Sequence, residues 1–140
     1  MINKSWVKDI NDMHSKFGVH AAVDAMDVEK LKKFLEFRIN FLQEELDEMK
    51  TAQTADDVVD ALVDLCVVAI GTMDAFGIDA HEAWDRVHHC NMMKEVGIKE
   101  SRPNKLGLPD LIKPTGWYPP THADNTGLIE KVKLPLFDEN

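Results

Sequence analysis

Apolar residues recur at helical spacing through the first hundred positions and lose that regularity afterwards. Trp6, Ile10, Met13 and Phe17 fall at steps of four, three and four, which predicts a first helix that Gly18 stops. Asp27 is suited to cap a second helix that runs to about Lys50. Its stripe is Leu31, Leu35, Arg38, Leu42, Glu45 and Met49, so two charged side chains fall on the face that should be buried. A third helix starts near Thr54, with Asp57 in a capping-box arrangement, and continues through VVDALVDLCVVAIGTMDAF to Gly77. It is apolar nearly all round, as the central helix of a bundle would be, yet Asp60 and Asp64 sit inside the apolar run. A fourth opens at Asp79, with Glu82 at the matching capping position, and places Trp84, Val87, Asn91 and Lys94 on one core-facing stripe. No strand pattern competes before residue 100.

All six prolines lie beyond residue 100, and proline breaks helix interiors. The pattern therefore predicts an all-α protein: a four-helix core over 1–100 and an irregular Pro/Gly-rich tail over 101–140, packing on the core or on a neighbouring subunit. The tail, with Trp117 and Tyr118, reads as loop, and LIEKVKLPLF is not assigned to a strand. A chain of 140 residues, 44% hydrophobic and 29% charged, is that of an ordinary globular domain able to bury a core. The longest apolar run, Leu65 to Gly71, is too short to cross a bilayer, and the N-terminus lacks a signal-peptide core. The expectation is a cytoplasmic protein with no membrane partner. Acidic residues outnumber basic ones, 25 to 16, for a net charge of −9, which disfavours a nucleic-acid backbone as partner. A phosphorylated small molecule stays compatible, provided metal ions mediate the contact. Cys66 and Cys90 form no CxxC pair and read as reduced core thiols.

Two acidic groups carry the candidate chemistry. Glu44, Glu45 and Glu48 lie within one turn of the second helix, with Glu45 and Glu48 on neighbouring positions of one face. Asp57, Asp60 and Asp64 share a face of the third. A short connection favours antiparallel packing, which brings the two faces together. Carboxylates so placed repel unless a counter-charge joins them, and oxygen-only ligands favour Mg²⁺, with Mn²⁺ as a substitute, over zinc. The plainer alternative is a solvated face for Glu44, Glu48 and Asp57, with Asp57 capping its helix. Arg38 has two readings, a structural pair with a carboxylate or a substrate contact. Asn91 and Lys94 suit phosphate or ligand-carbonyl contacts. His88, His89 and Cys90 are adjacent on a helix, about 100° apart, and do not share a metal.

The segments EELDEM, DVVDALVDLCVVAIGTMDAFGID and VHHCNMMK, with KDINDMHSKFGV before them and KPTGWYPP after, resemble the all-α NTP pyrophosphohydrolases, the MazG-like superfamily, in the single-domain form common in phages. The likeness covers nearly the whole chain. It implies hydrolysis of a (d)NTP to the monophosphate and pyrophosphate by Mg²⁺-assisted attack of water on the α-phosphorus, in the service of nucleotide-pool control. By that likeness Glu45 and Glu48 form the ExxE element, preceded by Glu44, and Asp64 is the aspartate of the ExxD element. Asn91 and Lys94 belong to the segment beside the substrate. Ala61 stands where many members carry the second element's glutamate, and the likeness to the phage-type subgroup implies that a carboxylate one turn before Asp64, here Asp60 assisted by Asp57, takes that place. The expected site thus has Glu44, Glu45, Glu48, Asp60 and Asp64 on metal, with Glu44 or Glu45 also orienting or deprotonating the water. Asn91, Lys94, Arg38 and Phe17 contact substrate, and the assembly is a homodimer or homotetramer.

Two rivals differ in class. Ala61 favours a noncatalytic helical dimer that binds a nucleotide or protein partner. A di-iron carboxylate bundle normally requires Glu-x-x-His, which does not occur in this chain.

Overall fold

The computed structural model describes residues 5–99, 106–108 and 110–137. They contain five α-helices, α1 (Trp6–Lys16), α2 (Val19–Asp24), α3 (Val28–Lys50), α4 (Ala55–Ala75) and α5 (Ala80–Met92), with two short strands, β1 (Glu95–Gly97) and β2 (Asp110–Ile112), and a 3-10 turn at Gly127–Lys131. The fold is all-α in character, as the apolar periodicity predicts. The chain divides into two compact units, Met1–Ala80 with Asp124–Asn140, and His81–Ala123. Among the described residues no single helix is long and apolar enough to cross a membrane.

The first unit is built on the α3–α4 pair. Asp27 caps α3 by accepting from the Lys30 amide at 2.9 Å, and Thr54 caps α4 by accepting from the Asp57 amide at 3.1 Å. Each such cap contributes about 1 kcal/mol. The pair is antiparallel, because Phe34 stacks on Phe76, Arg38 bonds to Val68 and Thr72, and Glu45 faces Asp60 and Asp64. As one helix ascends, its partners descend the other. The α3 stripe follows the predicted alternation, with Leu31, Leu35 and Glu45 buried and Arg38, Leu42 and Met49 half-buried. Val23, Leu31, Leu35, Ala75, Phe76, Val132 and Leu136 form the core. Phe76 is fully enclosed, and burying such a side chain is worth about 1.5–3 kcal/mol.

The chain from Asp124 returns to this unit and completes its core. The Leu128 amide donates to the Phe76 carbonyl at 2.8 Å, and Val132 and Leu136 fill the core beyond. Gly127 makes that approach possible. Its φ is +51°, and a Cβ there would run into the Phe76 carbonyl.

In the second unit β1 and β2 pair antiparallel, Glu95 opposite Ile112 and Gly97 opposite Asp110. The Trp117 indole donates to the Cys90 carbonyl at 2.7 Å at the end of α5. The ammonium groups of Lys94 and Lys113 lie 5.6 Å and 4.9 Å from the Trp117 ring.

Several expectations are corrected. A short helix, α2, follows Gly18, whose left-handed φ of 72° turns the chain without ending helical structure. A strand, β1, does lie before residue 100. On α1 Ile10 is buried as expected, but His14 is buried one position beyond Met13, while Trp6, Met13 and Phe17 are exposed. On α5 the supposed core-facing Trp84 is 72% exposed. The outer face of α4, with Val59, Leu62, Val63 and Cys66, is exposed too. Cys90 is a buried thiol as expected, whereas Cys66 is not.

Candidate active site

The antiparallel register sets Glu45 and Glu48 of α3 against Asp60 and Asp64 of α4. Glu45 is 7% exposed, and its Oε2 is buried with no hydrogen-bond partner. Burial first, then the charges of Glu48 and Asp64, a hydrogen bond with the Glu48 side chain and the charge of Asp60, push its carboxyl above the usual range. Glu48, Asp57 and Asp60 line a cleft of about 270 Å³ at the α3–α4 turn, together with Thr51, Gln53 and Ala61. Asp64 is half-buried, one turn beyond Asp60. Asp57 does not cap α4: its amide donates to the Thr54 hydroxyl, which is the cap, and the exposed residue lines the cleft. Glu44 is exposed on α3, about 100° round the helix from Glu45.

Ala61 is buried and contributes only a methyl group to the cleft wall. Asp60 beside it lines the same cleft.

These residues fit a divalent cation. A buried carboxylate oxygen without a donor is costly, and three further carboxylates nearby raise the cost of ionising it. A hard cation with oxygen ligands supplies the missing partner.

Arg38 is held by α4. Its Nε donates to Thr72 Oγ1 and its Nη2 to the Val68 carbonyl, each at 2.9 Å, and the guanidinium lies 5.7 Å from the Phe41 ring. Gly71 makes room, since a Cβ there would stand 2.7 Å from Nη2. Both hydrogen bonds tie α3 to α4 about 10 Å along the axis from Glu45. Phe17 is exposed after α1, with the Lys16 ammonium 5.4 Å from its ring. In the second unit Asn91 is exposed in the last turn of α5, and half-buried Lys94 faces Trp117.

A second cluster is marked by no spacing in the sequence. His14 Nδ1 and His20 Nε2 lie 2.7 Å and 2.6 Å from one oxygen of Asp74, and Asn11 Nδ2 donates to the other at 2.9 Å. Burial raises the Asp74 carboxyl, but the bonds from Asn11, His20 and His14 outweigh it and hold the group below its ordinary value. The available signal was Asp74 itself, a third acid in the apolar run of α4, but its partners stand some sixty positions away.

The family model of phosphoribosyl-ATP pyrophosphohydrolase matches residues 19–91, from the start of α2 to the last turn of α5. The match takes in both acidic helices. No curated protein and no solved structure matches the chain.

Proposed function

This chain belongs to the phosphoribosyl-ATP pyrophosphohydrolase family, and so to the MazG-like all-α NTP pyrophosphohydrolases, and we propose that it hydrolyses a (d)NTP to the monophosphate and pyrophosphate with Mg²⁺. Cleavage of a phosphoanhydride is the family's chemistry. The observation that carries the reading is Glu45, a buried carboxylate with an unpartnered oxygen among three other acids.

In this reading Glu44, Glu45, Glu48, Asp60 and Asp64 hold the cation, for which Mn²⁺ can substitute. Mg²⁺, when bound, supplies counter-charge for the triphosphate and acidifies water. Glu44 or Glu45 orients the attacking water and accepts its proton. Burial raises the Glu45 pKa and so makes it a stronger proton acceptor than an ordinary carboxylate. Asn91 and Lys94 serve the phosphates or sugar by the resemblance of the NMMK segment, and Arg38 and Phe17 complete the proposed substrate contacts.

The chain assembles as a homodimer or homotetramer in the same reading. Trp6, Ile10, Leu62, Val63, Cys66 and Ile70 line an apolar groove of about 340 Å³ on the outer face of α1 and α4, which a second copy would cover.

Ala61 favours a second reading, a nucleotide-binding protein without turnover. Pyrophosphate release should be measured with Mg²⁺ across the common dNTPs and NTPs, with phosphoribosyl-ATP alongside because the family's name carries that substrate. Release from at least one (d)NTP, lost in Glu45→Gln, is expected. Release from phosphoribosyl-ATP alone would overturn the (d)NTP assignment. No release from any of them, with nucleotide still bound, would leave the second reading standing.

A further inference from the structure

We propose that His14, His20 and Asp74 form a second metal site, selective for a transition-metal dication such as Zn²⁺ or Co²⁺ and separate from the acidic cleft. Among the described residues these three form a group whose donor atoms all lie within 4.8 Å of one another. They come from three elements, His14 from α1, His20 from α2 and Asp74 from α4. Gly18 turns the chain between the two histidines at a φ of 72°, which places their rings edge to face, with centroids 5.8 Å apart. Both ring nitrogens that face inward point at the same carboxylate oxygen.

Two nitrogens and one oxygen make a donor set that prefers zinc, cobalt or nickel to magnesium. Tetrahedral zinc with bonds of about 2.0–2.1 Å needs donors about 3.3 Å apart, so the side chains must open by roughly 0.6 Å from their hydrogen-bonded contacts. As the ion enters, the N–H on each inward nitrogen is given up and the proton sits on the ring's other nitrogen. Asn11 already fixes the far oxygen of Asp74, the kind of outer support that orients a metal-ligating carboxylate. The His14 and Asp74 side chains are only 7% and 9% exposed, while His20 at 34% leaves a way in and room for an exchangeable fourth ligand. Asp74 lies ten residues beyond Asp64 on one helix, about 15 Å along its axis, so the two sites do not share an ion.

The test uses the full chain, stripped with a chelator, exchanged into excess Mg²⁺ and titrated with Co²⁺. One equivalent should develop visible ligand-field bands of nitrogen-ligated cobalt, which Zn²⁺ then bleaches. Glu45→Gln should keep the bands. His20→Ala, at the half-exposed ligand, should lose them, and Asn11→Ala should weaken binding by about 10–100-fold, the usual effect of losing an outer partner. Far-UV circular dichroism checks that each variant is folded. Absence of bands in the wild type, bands that persist in folded His20→Ala, or bands lost in Glu45→Gln would each overturn the proposal.

Discussion

Replacing Gly71 with alanine should destabilise the protein even though alanine is the better helix former. Gly71 lies inside α4, where alanine is favoured over glycine by about 0.8–1.0 kcal/mol. Its new Cβ, however, would stand 2.7 Å from Arg38 Nη2 and 3.5 Å from the His14 ring. The guanidinium must withdraw, and with it goes the 2.9 Å bond from Nη2 to the Val68 carbonyl. A hydrogen bond from a charged donor contributes about 1.5–3 kcal/mol. The net loss is therefore about 0.5–2 kcal/mol, or roughly 2–8 °C in Tm for a domain of this size. Urea unfolding followed by far-UV circular dichroism measures it. The decisive comparison is a double-mutant cycle with Arg38→Met, which removes the clash and the bond together. In that background Gly71→Ala should become stabilising by about 1 kcal/mol. If Gly71→Ala already stabilises the wild type by that full amount, the guanidinium moves freely, and its role in fastening α3 to α4 is refuted.

Glu45→Gln should raise the stability of the metal-free protein at neutral pH and, with Mg²⁺ supplied, abolish pyrophosphate release. Because the folded pKa of Glu45 is raised, its unfavourable ionisation enters as pH climbs through that value, so the variant's advantage should vanish in acid; an advantage that persists there would count against the assignment. Asp74→Asn, studied with a chelator present, should cost about 1.5–3 kcal/mol at neutral pH. Asp74 has a depressed folded pKa, so its contribution is present above the ordinary 3.8 and is lost as pH falls through the folded value, where wild type and variant should converge in thermal melts. Gly127→Ala should cost about 2 kcal/mol or more, from left-handed strain and overlap with the Phe76 carbonyl, and an unchanged urea midpoint would refute the docking of the C-terminal segment on α4.

The α3–α4 pair was legible because a long stripe with two misplaced charges has few explanations. Glu45 is buried and Arg38 is bonded across the interface, as that stripe requires. A short connection then fixed the antiparallel register and with it the meeting of the two acidic faces. On α1 Ile10 is buried as its spacing requires; Met13 is more apolar than His14, yet His14 is the residue that a partner on α4 draws inward. The six residues of α2 are too few to show a period, and β1 and β2 are three residues each, specified by each other rather than locally. For α4, apolarity all round marked a helix to be covered on every side. Periodicity does not say whether the cover comes from the same chain, and Leu62 and Val63 remain exposed in this one. The His14–His20–Asp74 cluster is a long-range contact, which no local pattern encodes.

The return of the C-terminal segment to the first unit has a consequence for how the protein is made. One compact unit is interrupted by another, so the larger core draws on segments that lie either side of His81–Ala123. As the chain leaves the ribosome, α1 to α4 emerge first and can pair, but Phe76 waits for Leu128, Val132 and Leu136. His81–Ala123 therefore emerges before its host is sealed, and closing the host core requires bridging that whole insertion. Stalled or shortened translation products would expose Phe76 and its neighbours, making them substrates for chaperones and proteases even with both acidic helices fully synthesised.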